Sequence, residues 1–236
     1  MNRYISNTVH IVYIKTSIYF PSTVYGMLFH MIELLAVSPK FFTFIIVIFS
    51  IILHEIGHGY AAFVQGDYTA YRAGRLTLNP IPHIDVIGSL VVPFLAFLTA
   101  STFFGWAKPV PYNPHNIKTK IGEAFVASAG ILTNILIALV MMGVFIMLKS
   151  NSILNAEVAQ ALFIIITINV SLAFFNLIPI PPFDGMAIIQ ALFPRMHIDN
   201  RFTFNPLYMV MAIIVASVIY AMFAPYLFDF IREILL

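Results

Sequence analysis

Apolar residues run along this chain in long blocks rather than in alternation. Five blocks, at 41–65, 87–104, 123–148, 159–180 and 206–228, approach or exceed the roughly 20 residues needed to cross a bilayer core as a helix. A sixth, within 11–37, is interrupted by Lys15, Pro21, His30 and Glu33, and its pattern is divided between spanning and lying at the interface. The intervening segments are punctuated. Residues 66–85 hold Arg72, Gly74, Arg75, Asn79, Pro80 and Pro82, and Arg75-Leu76-Thr77-Leu78-Asn79 alternates polar and apolar, the signal of a short strand. Residues 105–122 carry Trp106 with several Pro and Lys, as an interfacial loop does. The blocks predict an all-α polytopic membrane protein of five or six transmembrane helices. They divide into an N-terminal segment (1–40), a membrane core (41–190), and a loop with a C-terminal helix (191–236).

Composition supports that reading and removes other classes. Only 9% of the 236 residues are charged while 61% are apolar, and mean hydropathy is +0.94. An ordinary soluble domain carries roughly 25% charged residues, so this chain cannot clothe a core in a water-facing surface. Net charge is +2 without a basic stripe, which excludes a nucleic-acid partner. There is no cysteine, so disulfides, thiolate metal sites and a cysteine nucleophile are excluded, and any metal must be held by nitrogen and oxygen. The start of the chain lacks the apolar core and small-residue site of a secretory signal. Charge leaves the orientation open. Eight of the twelve Lys and Arg share one side if 11–37 does not span, and the division is even if it does.

The first strong block ends in His54-Glu55-Ile56-Gly57-His58, an H-E-x-x-H. On a helix, His54 and His58 lie one turn apart on one face, so both imidazoles can reach one zinc ion, and Glu55 stands to the side to take a proton from the attacking water. Chance places this motif in about 0.5% of chains with this His and Glu content. Two His and a Glu within an apolar span are also costly unless they face a cavity. A third ligand is needed. The candidate acids are Glu33, Asp85, Glu123, Glu157 and Asp184. Of these, only Asp184 lies in an apolar segment interrupted by Pro179, Pro181 and Pro182 and followed by Gly185. Broken backbone at membrane depth is tolerated only against protein or a wet cavity.

These two motifs together resemble the site-2 proteases, a family of intramembrane zinc metalloproteases, in its small form without a PDZ domain. The resemblance covers about residues 45–190. It includes Asn176-Leu177-Ile178-Pro179 leading to Phe183-Asp184-Gly185, then Gly66-Asp67 through Gly74 to Pro80, His83-Ile84-Asp85 and Gly88, and Gly105-Trp106-Ala107-Lys108-Pro109-Val110-Pro111-Tyr112-Asn113-Pro114. It implies His54, His58 and Asp184 as zinc ligands, Glu55 as general base and acid, and Asn176 as a donor to the oxyanion. Residues 68–79 would form a short membrane-dipping β-hairpin that pairs with an unwound substrate. The segment Ala129-Gly130-Ile131-Leu132-Thr133-Asn134 is similar to a family Ala-Gly-Pro-x-x-Asn, with Ile131 in place of Pro. Its small residues are read as packing, Asn134 as packing or lining the cavity, and His83 and Asp85 as structural.

The function this implies is a zinc endopeptidase cutting membrane proteins in or near their transmembrane segments. It would reside in the cell membrane of a prokaryote, with one zinc per chain. The lipid bilayer, a transmembrane protein substrate and a regulatory membrane protein are its expected partners. Two other readings compete: a membrane zincin with Glu157 as third ligand, and a divalent-metal transporter with His54, Glu55, His58 and Asp184 along its path.

Overall fold

The structure, a computed structural model, describes residues 39–85, 88, 108–195 and 206–235. Six α-helices are found there: α1 (Pro39–Val64), the single-turn α2 (Thr69–Arg72), α3 (Lys120–Ser150), α4 (Ala156–Leu177), α5 (Asp184–Leu192) and α6 (Pro206–Leu235). Short 3₁₀ turns lie at Ile81–His83 and Pro114–Asn116. Among the described residues, α1, α3, α4 and α6 are long and apolar enough to cross a membrane. They match four of the five strong apolar blocks. The block at 87–104 apart from residue 88, the interrupted one at 11–37, and Trp106 all lie outside the described residues.

Local chemistry sets the helix ends. Thr119 caps α3 by accepting from the Gly122 N–H at 3.0 Å, and Asn155 caps α4 by accepting from Val158 N–H at 2.8 Å. The apolar pattern continues to Ile180, but α4 stops at Leu177. Ile178 is extended (φ −61°, ψ 126°), as a residue before proline prefers, and Pro179 cannot continue the ladder. Helix α3 occupies the centre, packed against α1, α4 and α5. Its contact with α1 is made by small residues, Ala61 and Ala62 against Val126 and Ala129, which let the backbones approach closely. Phe145 with Leu162 and Ile166 continues the packing between α3 and α4, and Ile231 of α6 joins that cluster.

The expected β-hairpin at 68–79 does not form, and no strand occurs among the described residues. The alternation at Arg75–Asn79 is real, but closer hydrogen bonds take its backbone. Gly74, at φ +66°, turns the chain after α2, and the Arg75 N–H bonds back to the Ala70 carbonyl at 3.0 Å. Thr77 Oγ1 then accepts from the Asn79 N–H, and Asn79 Oδ1 from the Ile81 N–H, at 3.2 and 3.1 Å. Such side-chain turns compete with a ladder and here displace it.

Candidate metal centre

His54 and His58 project from one face of α1, and α5 brings Asp184 to meet them. Asp184 Oδ2 lies 3.1 Å from His54 Nε2 and 3.2 Å from His58 Nε2, and the two Nε2 atoms are 3.1 Å apart. Two glycines make the approach possible. A β-carbon on Gly130 of α3 would overlap both imidazoles, and one on Gly185 would overlap the Leu177 carbonyl, so α5 can start close against the end of α4. His54 is 6% exposed and the Asp184 side chain 19%.

The ring nitrogens facing away from this cluster are both engaged. His58 Nδ1 donates to the Val126 carbonyl at 2.7 Å, and His54 Nδ1 donates to Asn134 Oδ1 at 2.6 Å. A neutral imidazole protonated at Nδ1 carries its lone pair on Nε2. Two lone pairs and a carboxylate oxygen therefore converge, and Asp184 Oδ2 is buried with no hydrogen-bond partner. Such an arrangement is repulsive unless a metal ion or a proton sits among the three atoms. Two nitrogens and one oxygen, with outer hydrogen bonds fixing the imidazoles, suit zinc and leave a position open for water. Among the described residues, this is the group of His, Asp and Glu side chains able to hold a metal ion.

The other expected site residues fall nearby or elsewhere. Glu55 is half-buried, and its Oε2 accepts from the Val110 N–H at 2.7 Å. Val110 sits between Pro109 and Pro111 in a strap without regular secondary structure. The Lys108 N–H bonds to the His83 carbonyl at 2.9 Å, and the Lys108 carbonyl accepts from Arg75 Nη2 at 2.5 Å. Asn176 lies near the end of α4, where its Nδ2 donates to the Leu172 carbonyl at 2.9 Å. Glu157 is exposed in the first turn of α4, at the opposite end of that helix from Asp184. His83 is buried with Nε2 on the Thr77 carbonyl at 2.9 Å, and burial and the nearby Arg75 charge push its pKa down. Asp85 accepts from the Gly88 N–H at 2.6 Å.

Sequence reasoning missed two features. Asn134, read as packing or lining the cavity, is the hydrogen-bond partner of a proposed metal ligand. Asp67, fully buried, accepts from Thr69 (N–H and Oγ1), the Asn113 N–H and Asn116 Nδ2, and so ties the end of α1 to the strap. Burial raises its pKa, but these hydrogen bonds outweigh that and hold it below the usual carboxylate range. In the sequence Asp67 lies in the Gly66-Asp67 that the family resemblance covers, but a Gly-Asp after an apolar block ordinarily marks a turn, and the resemblance gives it no role.

A helical membrane protein with H-E-x-x-H in one span and a carboxylate returned to it by a proline-broken segment belongs to the class of membrane metallopeptidases. Comparison with known proteins narrows this: the profile of Peptidase family M50 matches residues 141–218, a stretch that contains Asn176 and Asp184. Two curated relatives share the name "Putative zinc metalloprotease". YwhC of Bacillus subtilis is 35% identical over 156 residues, covering 64% of this chain and 68% of its own. Rip2 of Mycolicibacterium smegmatis is 28% identical over 143 residues, covering 60% of this chain and 53% of its own. The chain thus spans about two thirds of the first and half of the second. No solved structure matches. The chain belongs to peptidase family M50.

Proposed function

We propose that this protein is a zinc metalloendopeptidase that hydrolyses peptide bonds in or near the transmembrane segments of membrane proteins, in the cell membrane of a prokaryote. Its work is then regulated intramembrane proteolysis or membrane protein turnover, with residues 41–190 as the proteolytic core. The observation that carries the reading is the convergence of His54, His58 and Asp184 among helices apolar enough to cross a bilayer. In this reading those three side chains hold zinc. Zinc so held supplies Lewis acidity to the scissile carbonyl and makes water nucleophilic near neutral pH. Glu55, adjacent in sequence to His54, takes the proton from water and returns it to the leaving amine, and the Val110 N–H steadies its carboxylate. Asn176 donates to the oxyanion once its amide turns from the Leu172 carbonyl.

Two measurements test this. Zinc per chain is determined in detergent-purified wild type, His58→Ala and Asp184→Ala. About one zinc in wild type, lost or weakened in both variants, is expected from a site of three protein ligands; zinc indifferent to Asp184 sinks the ligand set. Cleavage of a panel of single-span substrates in proteoliposomes is then compared with Glu55→Gln, which is expected to retain zinc and lose about 10²–10⁴-fold in rate. Zinc uptake into the vesicles without cleavage would instead favour a transporter.

A further inference from the structure

Beside His54 runs a row of polar side chains that the proposed reaction leaves without a role. Asn134 on α3 and Asn169 on α4 are fully buried, and Ser50 on α1 is 4% exposed. Amides in an apolar interior are costly unless hydrogen-bonded, and here they are. Asn169 Nδ2 donates to the Ile165 carbonyl at 2.9 Å and to Ser50 Oγ at 3.1 Å. Asn169 Oδ1 accepts from Asn134 Nδ2 at 3.0 Å, and that same Nδ2 lies 3.4 Å from the Ser50 carbonyl. Asn134 Oδ1 completes the row at His54 Nδ1, 2.6 Å away.

The row has a direction. A backbone carbonyl only accepts, so Ile165 requires the NH₂ end of Asn169. The oxygen of Asn169 must then face Asn134, which answers with its own NH₂ and turns its oxygen toward His54. An acceptor at that point demands a proton on Nδ1 and leaves the lone pair on Nε2, the atom facing Asp184. We infer that Asn169, acting through Asn134, is a positioning residue that sets the tautomer of His54 and so keeps Nε2 free to bind the metal. This rests on the ligand reading given above. His58 needs no such relay, because the Val126 carbonyl orients it directly. Reversing the row would place an NH₂ against Nδ1, move the proton to Nε2 and abolish ligation by His54.

The test measures zinc affinity of the full detergent-purified chain by chelator competition, together with the thermal midpoint of each metal-free form. The variants are Asn134→Leu, Asn169→Leu, Asn169→Asp and Asp184→Ala. Removing the outer partner of a metal-bound His costs about 10–100-fold in affinity, which is the loss expected for Asn134→Leu, with Asn169→Leu near the lower end. Asn169→Asp, kept protonated by its apolar surroundings, turns its O–H toward the Ile165 carbonyl and its other oxygen toward Asn134, and is expected to restore affinity to within about threefold of wild type on the same scale. If Asn169→Leu shifts only the metal-free midpoint and binds zinc as wild type does, the relay is overturned while the loss of zinc in Asp184→Ala still upholds the site. Zinc retained by Asp184→Ala overturns both. A second readout is made on wild type itself: ¹⁵N imidazole shifts of the metal-free protein, with the His54 signal assigned by its loss in His54→Ala, should show His54 protonated at Nδ1. An Nε2–H tautomer overturns the inference.

Discussion

A β-carbon on Gly130 would meet His58 Nε2 together with Cε1 and Nε2 of His54. The same methyl group should favour α3 as a helix, since Gly costs roughly 0.5–1 kcal/mol relative to Ala in a helix interior. Gly130→Ala is therefore expected to weaken zinc binding at least tenfold, the scale of disturbing the surroundings of a ligand, without lowering the thermal midpoint of the metal-free protein by a comparable measure. Chelator competition and a melt of the same sample check both halves. Asp67 makes the opposite case, a residue of the loop whose role is to hold. Because its folded pKa lies below the ordinary value, its contribution is complete above about pH 4 and is lost as pH falls further. Asp67→Asn should cost about 1–3 kcal/mol, the range for leaving buried hydrogen-bonding groups unsatisfied, and should flatten the acid limb of a stability–pH curve. An unchanged acid limb would remove Asp67 from that role. At this scale the sequence was most readable where partners are close along the chain. His54 and His58 announce each other across one turn, whereas Asn134 and Asn169 meet a histidine and a serine 80 and 119 positions away, a separation that leaves no periodic trace.

The helices divide into those whose ends are merely finished and those whose ends carry the site. Asn155 caps α4 at its exposed end, so Asn155→Ala should cost about 1 kcal/mol and leave zinc affinity alone. Gly185 sits at the other end, where a β-carbon would overlap the Leu177 carbonyl. Gly185→Ala should push the start of α5 outward, carry Asp184 with it and reduce zinc per chain in the purified protein. If the two variants prove equal in zinc content, the close α4–α5 junction is not what sets the Asp184 position. Apolar block length foretold α1, α3, α4 and α6 well, because a bilayer demands it. The Arg75–Asn79 alternation misled because Thr77 and Asn79 offered the backbone nearer partners than a neighbouring strand could. Prolines served the reading better: three of them between Leu177 and Asp184 signalled the break that separates α4 from α5.

For the molecule as a whole, three electron-rich atoms lie within 3.2 Å of one another at the meeting of α1 and α5 on α3. The fold brings Asp184 to two histidines from which the unfolded chain holds it 126 or more positions apart, so zinc should bind the folded form far better than the unfolded one. Zinc at a hundredfold excess over its dissociation constant then adds about 2.7 kcal/mol of stability. The thermal midpoint should rise with zinc in wild type and stay level in Asp184→Ala. A wild-type midpoint indifferent to zinc would argue against a metal at this junction.

The positions of the proposed ligands along the chain also bear on the order of synthesis. His54 and His58 are made early, but their carboxylate partner is residue 184, and translation at about 5–20 residues per second separates them by on the order of ten seconds. Throughout that interval the nascent chain presents two histidines and no third ligand. Under the proposed ligand set and activity, a growing copy would be unable to cut its own unfinished helices, and competence would arrive only when α5 docks.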